Sequence, residues 1–107
     1  MNDVVLLTGE ALLTMLPSES GGIPNRWRSG IRPNHRRSGD DFCFIGELRF
    51  EDRDSLGAGE SCEATFRILV LPEMTASFVP GFRWELTIAG RDVVGHATVI
   101  CAAIEPN

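Results

Sequence analysis

Apolar and polar residues alternate strictly over Cys62–Ile68: Cys62, Ala64, Phe66 and Ile68 face one way, Glu63, Thr65 and Arg67 the other. A period of two marks a half-buried β-strand, because successive side chains leave opposite faces. Phe82, Trp84, Leu86 and Ile88 alternate in the same way with Arg83, Glu85 and Thr87. A turn centred on Gly90 leads into Val93–Ile104, rich in β-branched residues, and the two segments predict a hairpin. Asp41–Phe50 predicts a further strand, with Phe42-Cys43-Phe44-Ile45 apolar enough to lie in a packed sheet. Glu10–Leu16 has the local propensity of a helical turn, but it is short and Pro17 follows at once, so it reads as a strand. Pro and Gly recur too often for long helices. About six strands with regularly spaced turn signals predict an all-β barrel or sandwich.

Composition narrows this little. The 107 residues are 43% hydrophobic and 23% charged, ordinary for one globular domain. No apolar run approaches the roughly 20 residues of a membrane helix, so no membrane partner is expected. Met1-Asn2-Asp3 and the residues after it lack the basic lead and long apolar stretch of a secretory signal, and a cytoplasmic location is expected. Cys43, Cys62 and Cys101 are widely spaced and form no Cys-x-x-Cys pair; each is expected to serve as a small buried hydrophobe. Asp40-Asp41 and Glu51-Asp52-x-Asp54 lack the spacing of a calcium loop and read as solvated turns, so neither metal nor cofactor is expected.

Charge changes the picture locally. The chain carries a net −5, which opposes binding to a duplex, and DNA is not an expected partner. Yet Arg26, Arg28, Arg32, Arg36 and Arg37 fall within twelve positions, and no Asp or Glu lies between Gly21 and Gly39. The chain has no lysine, so every cationic side chain is a planar guanidinium suited to phosphate or carboxylate. With Trp27 inside it, this segment could hold RNA phosphates and stack a base, or anchor an acidic protein. The plainer alternative is that Trp27 packs over a barrel end and the arginines stay solvated. His35 and His96 with Arg36 could imitate a ribonuclease acid–base pair only if the fold brought them together, which no spacing demands. No catalytic residues are expected.

In order along the chain, these segments resemble the C-terminal β-barrel, the third domain, of bacterial elongation factor Tu. The opening strand Glu10–Leu16 running into Pro17-Ser18-Glu19-Ser20-Gly21-Gly22 is similar to the family's strand ending in an acidic residue before Gly-Gly. Ser29-Gly30-Ile31-Arg32-Pro33-Asn34-His35 stands where the family has Gly-Tyr-Arg-Pro-Gln-Phe, and Ala58-Gly59-Glu60 where it has Pro-Gly-Asp. Gly81-Phe82-Arg83-Trp84-Glu85-Leu86 through Gly90-Arg91 is similar to its Gly-Leu-Arg-Phe-x-Ile strand and Gly-Arg turn. The likeness spans about residues 4–104 of a single domain, 1–107, and one residue beyond the family pattern, Val94, is expected to enlarge the turn after Arg91.

The resemblance implies a small closed six-stranded antiparallel barrel that binds without catalysing. It has no nucleotide-binding loop of the Gly-x-x-x-x-Gly-Lys type, so GTP hydrolysis is not expected of it. In that family the barrel helps hold the T-stem of tRNA and meets protein partners. By extension the expected partner-binding residues are Arg26, Trp27, Arg28, Arg32, Asn34, His35, Arg36, Arg37 and Arg91. The expected partner is a translation-related protein or structured RNA. An immunity protein occluding a bacterial toxin is the alternative. Homo-association through an apolar face, with Phe78-Val79-Pro80-Gly81 as its candidate, is a third expectation.

Overall fold

The computed structural model describes residues 3–105 and has strands joined by turns and two short 3-10 helices, with no α-helix among the described residues. Eight strands are present: β1 (Val5–Met15), β2 (Trp27–Arg28), β3 (Asn34–Arg36), β4 (Phe44–Phe50), β5 (Ser55–Leu56), β6 (Ser61–Val70), β7 (Arg83–Ile88) and β8 (Asp92–Ile104). Six of them close into a barrel in the order β1-β6-β4-β3-β7-β8, every neighbouring pair antiparallel. Closure satisfies the backbone of both would-be edge strands, a protection that small β domains need against edge-to-edge association. No described helix is long and apolar enough to cross a membrane.

Alternation predicts the inward face of β6 without error: Cys62, Ala64, Phe66, Ile68 and Val70 are all buried and the residues between them exposed. The Glu10–Leu16 segment is indeed a strand, although it begins earlier, at Val5, and sends Leu7, Ala11, Leu13 and Met15 inward. Trp84, Phe66, Phe78 and Phe44 meet edge-to-face inside the barrel, with ring centroids 5.3–6.0 Å apart. The second sheet, β2 with β5, adds Trp27 and Leu56 to the same core. Two-residue strands carry no periodicity, which is why β2 and β5 escape a reading by pattern.

Several expectations fail where a bulge changes the phase. Ile88 was expected to face inward with Leu86, but at the end of β7 Thr87 is buried, its hydroxyl donating to the Asn34 carbonyl, and Ile88 is exposed, next to a register slip between Leu86 and Thr87. The residue that makes the slip is Val94, unpaired between Val93 and Gly95; it is a buried bulge in β8 rather than an addition to the turn. A second slip, between Glu10 and Ala11, turns Cys101 outward, so only Cys62 of the three cysteines is fully buried and Cys43 is half-buried. In Phe42–Ile45 only Phe44 belongs to the core; Phe42 and Ile45 point outward. Phe78 is buried among aromatic rings, which leaves Val79 as the exposed large apolar side chain of Phe78-Val79-Pro80-Gly81.

The β7–β8 hairpin turns through Ala89 and Gly90, both at positive φ (55° and 70°), with the Arg91 amide donating to the Ile88 carbonyl at 3.1 Å. Such a turn has the twist that joins antiparallel strands, but alanine adopts this conformation at a cost. Ala89→Asn, restoring the favoured Asn-Gly pair, is expected to raise stability by roughly 0.5–1 kcal/mol in urea denaturation.

Candidate partner-binding surface

The basic segment does not stay together as a patch. Arg26 turns toward β5: its Nη atoms clasp both carboxylate oxygens of Glu60 at 2.8 and 3.1 Å, and its Nε donates to Ser55 Oγ at 2.9 Å. Glu60 also accepts from the Gly57 amide at 2.9 Å. The bonds from Arg26, then that from Gly57, hold its carboxyl down to about 2, and the bond to Glu60 raises the Arg26 pKa in return. Arg36 reaches Glu85 on β7 at 2.8 Å, and its pKa is raised chiefly by that hydrogen bond. Arg37 closes a local turn onto Asp40 at 2.7 Å and donates to Ser77 Oγ at 3.2 Å. Three of the five clustered guanidiniums therefore already hold carboxylates.

Arg28, Arg32 and Arg91 are exposed and form no ion pair among the described residues. Asn34 is half-buried, and its backbone carbonyl accepts from Thr87 Oγ1 at 3.1 Å. Trp27 is 9% exposed and belongs to the core, so its ring is not free to stack on a base. His35 is a correction of a different kind, because it is fully buried and cannot meet a partner.

His35 is instead the polar centre of the core. Its Nδ1 accepts a hydrogen bond from the indole Nε1–H of Trp84 at 2.8 Å, and its Nε2 lies 3.2 Å from the Gly46 carbonyl. The indole can only donate, so Nδ1 is the acceptor and the ring proton sits on Nε2, facing that carbonyl. The imidazole stacks on Phe44 at 5.3 Å with planes 14° apart. Burial pushes its pKa down to about 4, only partly offset by the bond to Gly46. Gly46 is glycine for room: a Cβ there would lie 2.5 Å from the Arg67 carbonyl oxygen and 2.6 Å from Ile68 Cα. His96 lies on β8, opposite Glu85 on β7, and is half-buried, so it and the inward His35 do not form an acid–base pair. Burial, then the nearby Arg83, lowers its pKa.

Of the acidic residues read as solvated turns, Asp40 is engaged by Arg37, and Asp52 sits in a turn at φ 60°. The carboxylate of Glu51 instead converges with those of Glu10 and Glu63, all within 4.8 Å.

The feature that the sequence reading missed lies on the outside of the barrel. Leu6 on β1 pairs with Leu69 on β6, and Leu69 pairs with Ile45 on β4, so three large apolar side chains sit side by side across adjacent strands. Ile45 is 57% exposed, and Phe42 and Val4 extend the surface. Two shallow clefts share Ile45 and Leu69: one, of about 340 Å³, continues to Arg32, Glu47 and Arg67, and the other, of about 300 Å³, to Val4, Phe42 and Leu71. A signal was present, since Leu69 follows Glu63, Thr65 and Arg67 on the face that alternation marks as polar. Neither models of known protein families nor curated proteins yield a match to this chain.

Proposed function

We propose that this chain is a noncatalytic binding module, a counterpart of the C-terminal barrel of elongation factor Tu, whose partner is a protein. The observation that carries the reading is the contiguous outward face of Leu6, Ile45, Leu69 and Phe42 on a barrel whose core is already filled. Scattered apolar residues are ordinary on a surface, whereas contiguous ones mark interaction sites. The basic segment supports RNA less well, because Arg26, Arg36 and Arg37 are already engaged and Trp27 is buried.

The kinship to the elongation-factor barrel draws support from a pair of positions. His35 and Trp84 stand where the family motifs carry phenylalanine, and in this chain the two side chains bond to each other. Aromatic rings at both of these positions support the likeness. A translation factor and a toxin are both protein partners that such a face could take.

Capture from host lysate, run untreated at low salt and again at high salt after ribonuclease treatment, tests the reading, with Ile45→Asp as the control. One protein retained by the native chain and lost with Ile45→Asp is the expected result. Recovery of tRNA that is abolished by ribonuclease and by Arg28→Glu/Arg32→Glu would overturn it in favour of RNA.

A further inference from the structure

We propose that the outer groove over β1, β6 and β4 takes a short acidic–apolar segment of a protein partner, its carboxylate held by Arg32 and Arg67; this rests on the protein-binding reading above. The two ends of the groove differ in chemistry. At one end Phe42, Val4 and Leu71 make an uncharged lining. At the other, Arg32 and Arg67 flank the floor formed by Leu6, Ile45 and Leu69.

Charge at the second end is uncompensated. Glu47 is the carboxylate there, and Arg49 already holds it, Nε to Oε1 at 3.0 Å and Nη2 to Oε2 at 3.3 Å. Neither Arg32 nor Arg67 forms an ion pair among the described residues. A chain of net −5 thus presents two unpaired guanidiniums beside an apolar floor. Guanidinium presents its donors as a planar fork that matches a carboxylate, and a low-dielectric floor strengthens the bond. A purely apolar ligand would leave that capacity unused.

Spacing sets the shape of the ligand. Arg67, Leu69 and Leu71 follow one another at every second position, and Leu71 continues the extended path just past β6, so the basic and apolar ends lie about 13 Å apart. An anchoring side chain near Leu71 and Phe42 and an Asp or Glu about that distance away would engage both ends. Each cleft is at the small end for ligand sites, about 300 Å³, which suits individual side chains better than a whole cofactor.

A randomised peptide display library, selected on the full chain, provides the probe. Enriched peptides are expected to share an apolar anchor and a carboxylate. Their affinity, read by fluorescence anisotropy, should fall about tenfold with Arg32→Ala and again with Arg67→Ala, the worth of one charge-assisted hydrogen bond each. Arg32→Glu/Arg67→Glu should instead select lysine- or arginine-bearing peptides. All these side chains are exposed, so the variants are expected to keep the unfolding profile of the native chain.

Peptides lost with Ile45→Asp but indifferent to both arginines would overturn the acidic segment and leave the protein-binding reading standing. Peptides indifferent to Ile45→Asp as well, or no enrichment at all, would overturn the groove as a peptide site. A dimer in light scattering that Ile45→Asp dissolves would overturn the proposal by showing a second copy in the groove.

Discussion

His35→Phe lowers the stability of the fold at pH 7 by about 3 kcal/mol, because it leaves a buried indole N–H with nothing to bond. Phenylalanine keeps an aromatic ring against Phe44, so the loss is polar rather than a matter of volume. Trp84 is 0% exposed, and its Nε1 donates to His35 Nδ1 at 2.8 Å. No buried side-chain nitrogen or oxygen among the described residues lacks a partner, so the substitution introduces a defect where none exists. Trp84→Phe added to His35→Phe should recover part of the loss, since removing both partners of a buried hydrogen bond costs less than removing one. The cycle of single and double variants in urea should yield a coupling of roughly 1–2 kcal/mol. Additive effects would show that the hydrogen bond contributes little and that packing alone holds the pair.

That role was hidden in the sequence by the company His35 keeps. It lies between Asn34 and Arg36-Arg37 in the most basic stretch of the chain, and charge drew it into the candidate surface. The finer signal was a period of two: Pro33 and His35 are buried, Asn34 and Arg36 half-buried. A strand of three residues is too short for that period to stand out. Cys62–Ile68 was legible because seven residues alternate without interruption and no bulge intervenes. Cys101 was misplaced for the converse reason: it lies past the bulge at Ile100 of its own strand, and one extra residue reverses every later side chain of that strand.

The surface was less legible than the core because its evidence is relational. Arginine spacing says nothing about which guanidiniums find carboxylates, and Glu60 and Glu85 are distant in sequence from Arg26 and Arg36. The apolar groove likewise needs the registers of β1, β6 and β4 before Leu6, Leu69 and Ile45 become neighbours. Closure of the barrel, by contrast, was anticipated by the resemblance to the elongation-factor barrel, since strand number and turn spacing alone suit a sandwich equally well.

Between pH 6.5 and about 4 the native fold loses about 3 kcal/mol of stability through His35 alone. The ordinary histidine pKa is 6.5, while burial holds the folded value near 4, so in that window the unfolded chain takes up a proton that the folded chain refuses. Unfolding is therefore favoured as pH falls: the contribution is fully present above 6.5, and its loss is complete below about 4. Once the folded imidazole is charged, both ring nitrogens donate, and Nδ1–H faces the Trp84 N–H in place of a lone pair. Glu60 acts later, its contribution present above 4.5 and lost as pH falls through about 2, so the two windows separate. His96, also lowered, acts with the same sign but is present in native and His35→Phe chains alike, and drops out of their difference. Urea unfolding of the two proteins across this range should give curves about 3 kcal/mol apart at pH 7 that converge toward pH 4. Trp84 emission, measured in a Trp27→Phe background, should report the imidazole directly. Parallel stability curves would mean that the buried histidine keeps its ordinary proton affinity in the fold, and would overturn the assignment of this pH dependence to a neutral His35 held by Trp84.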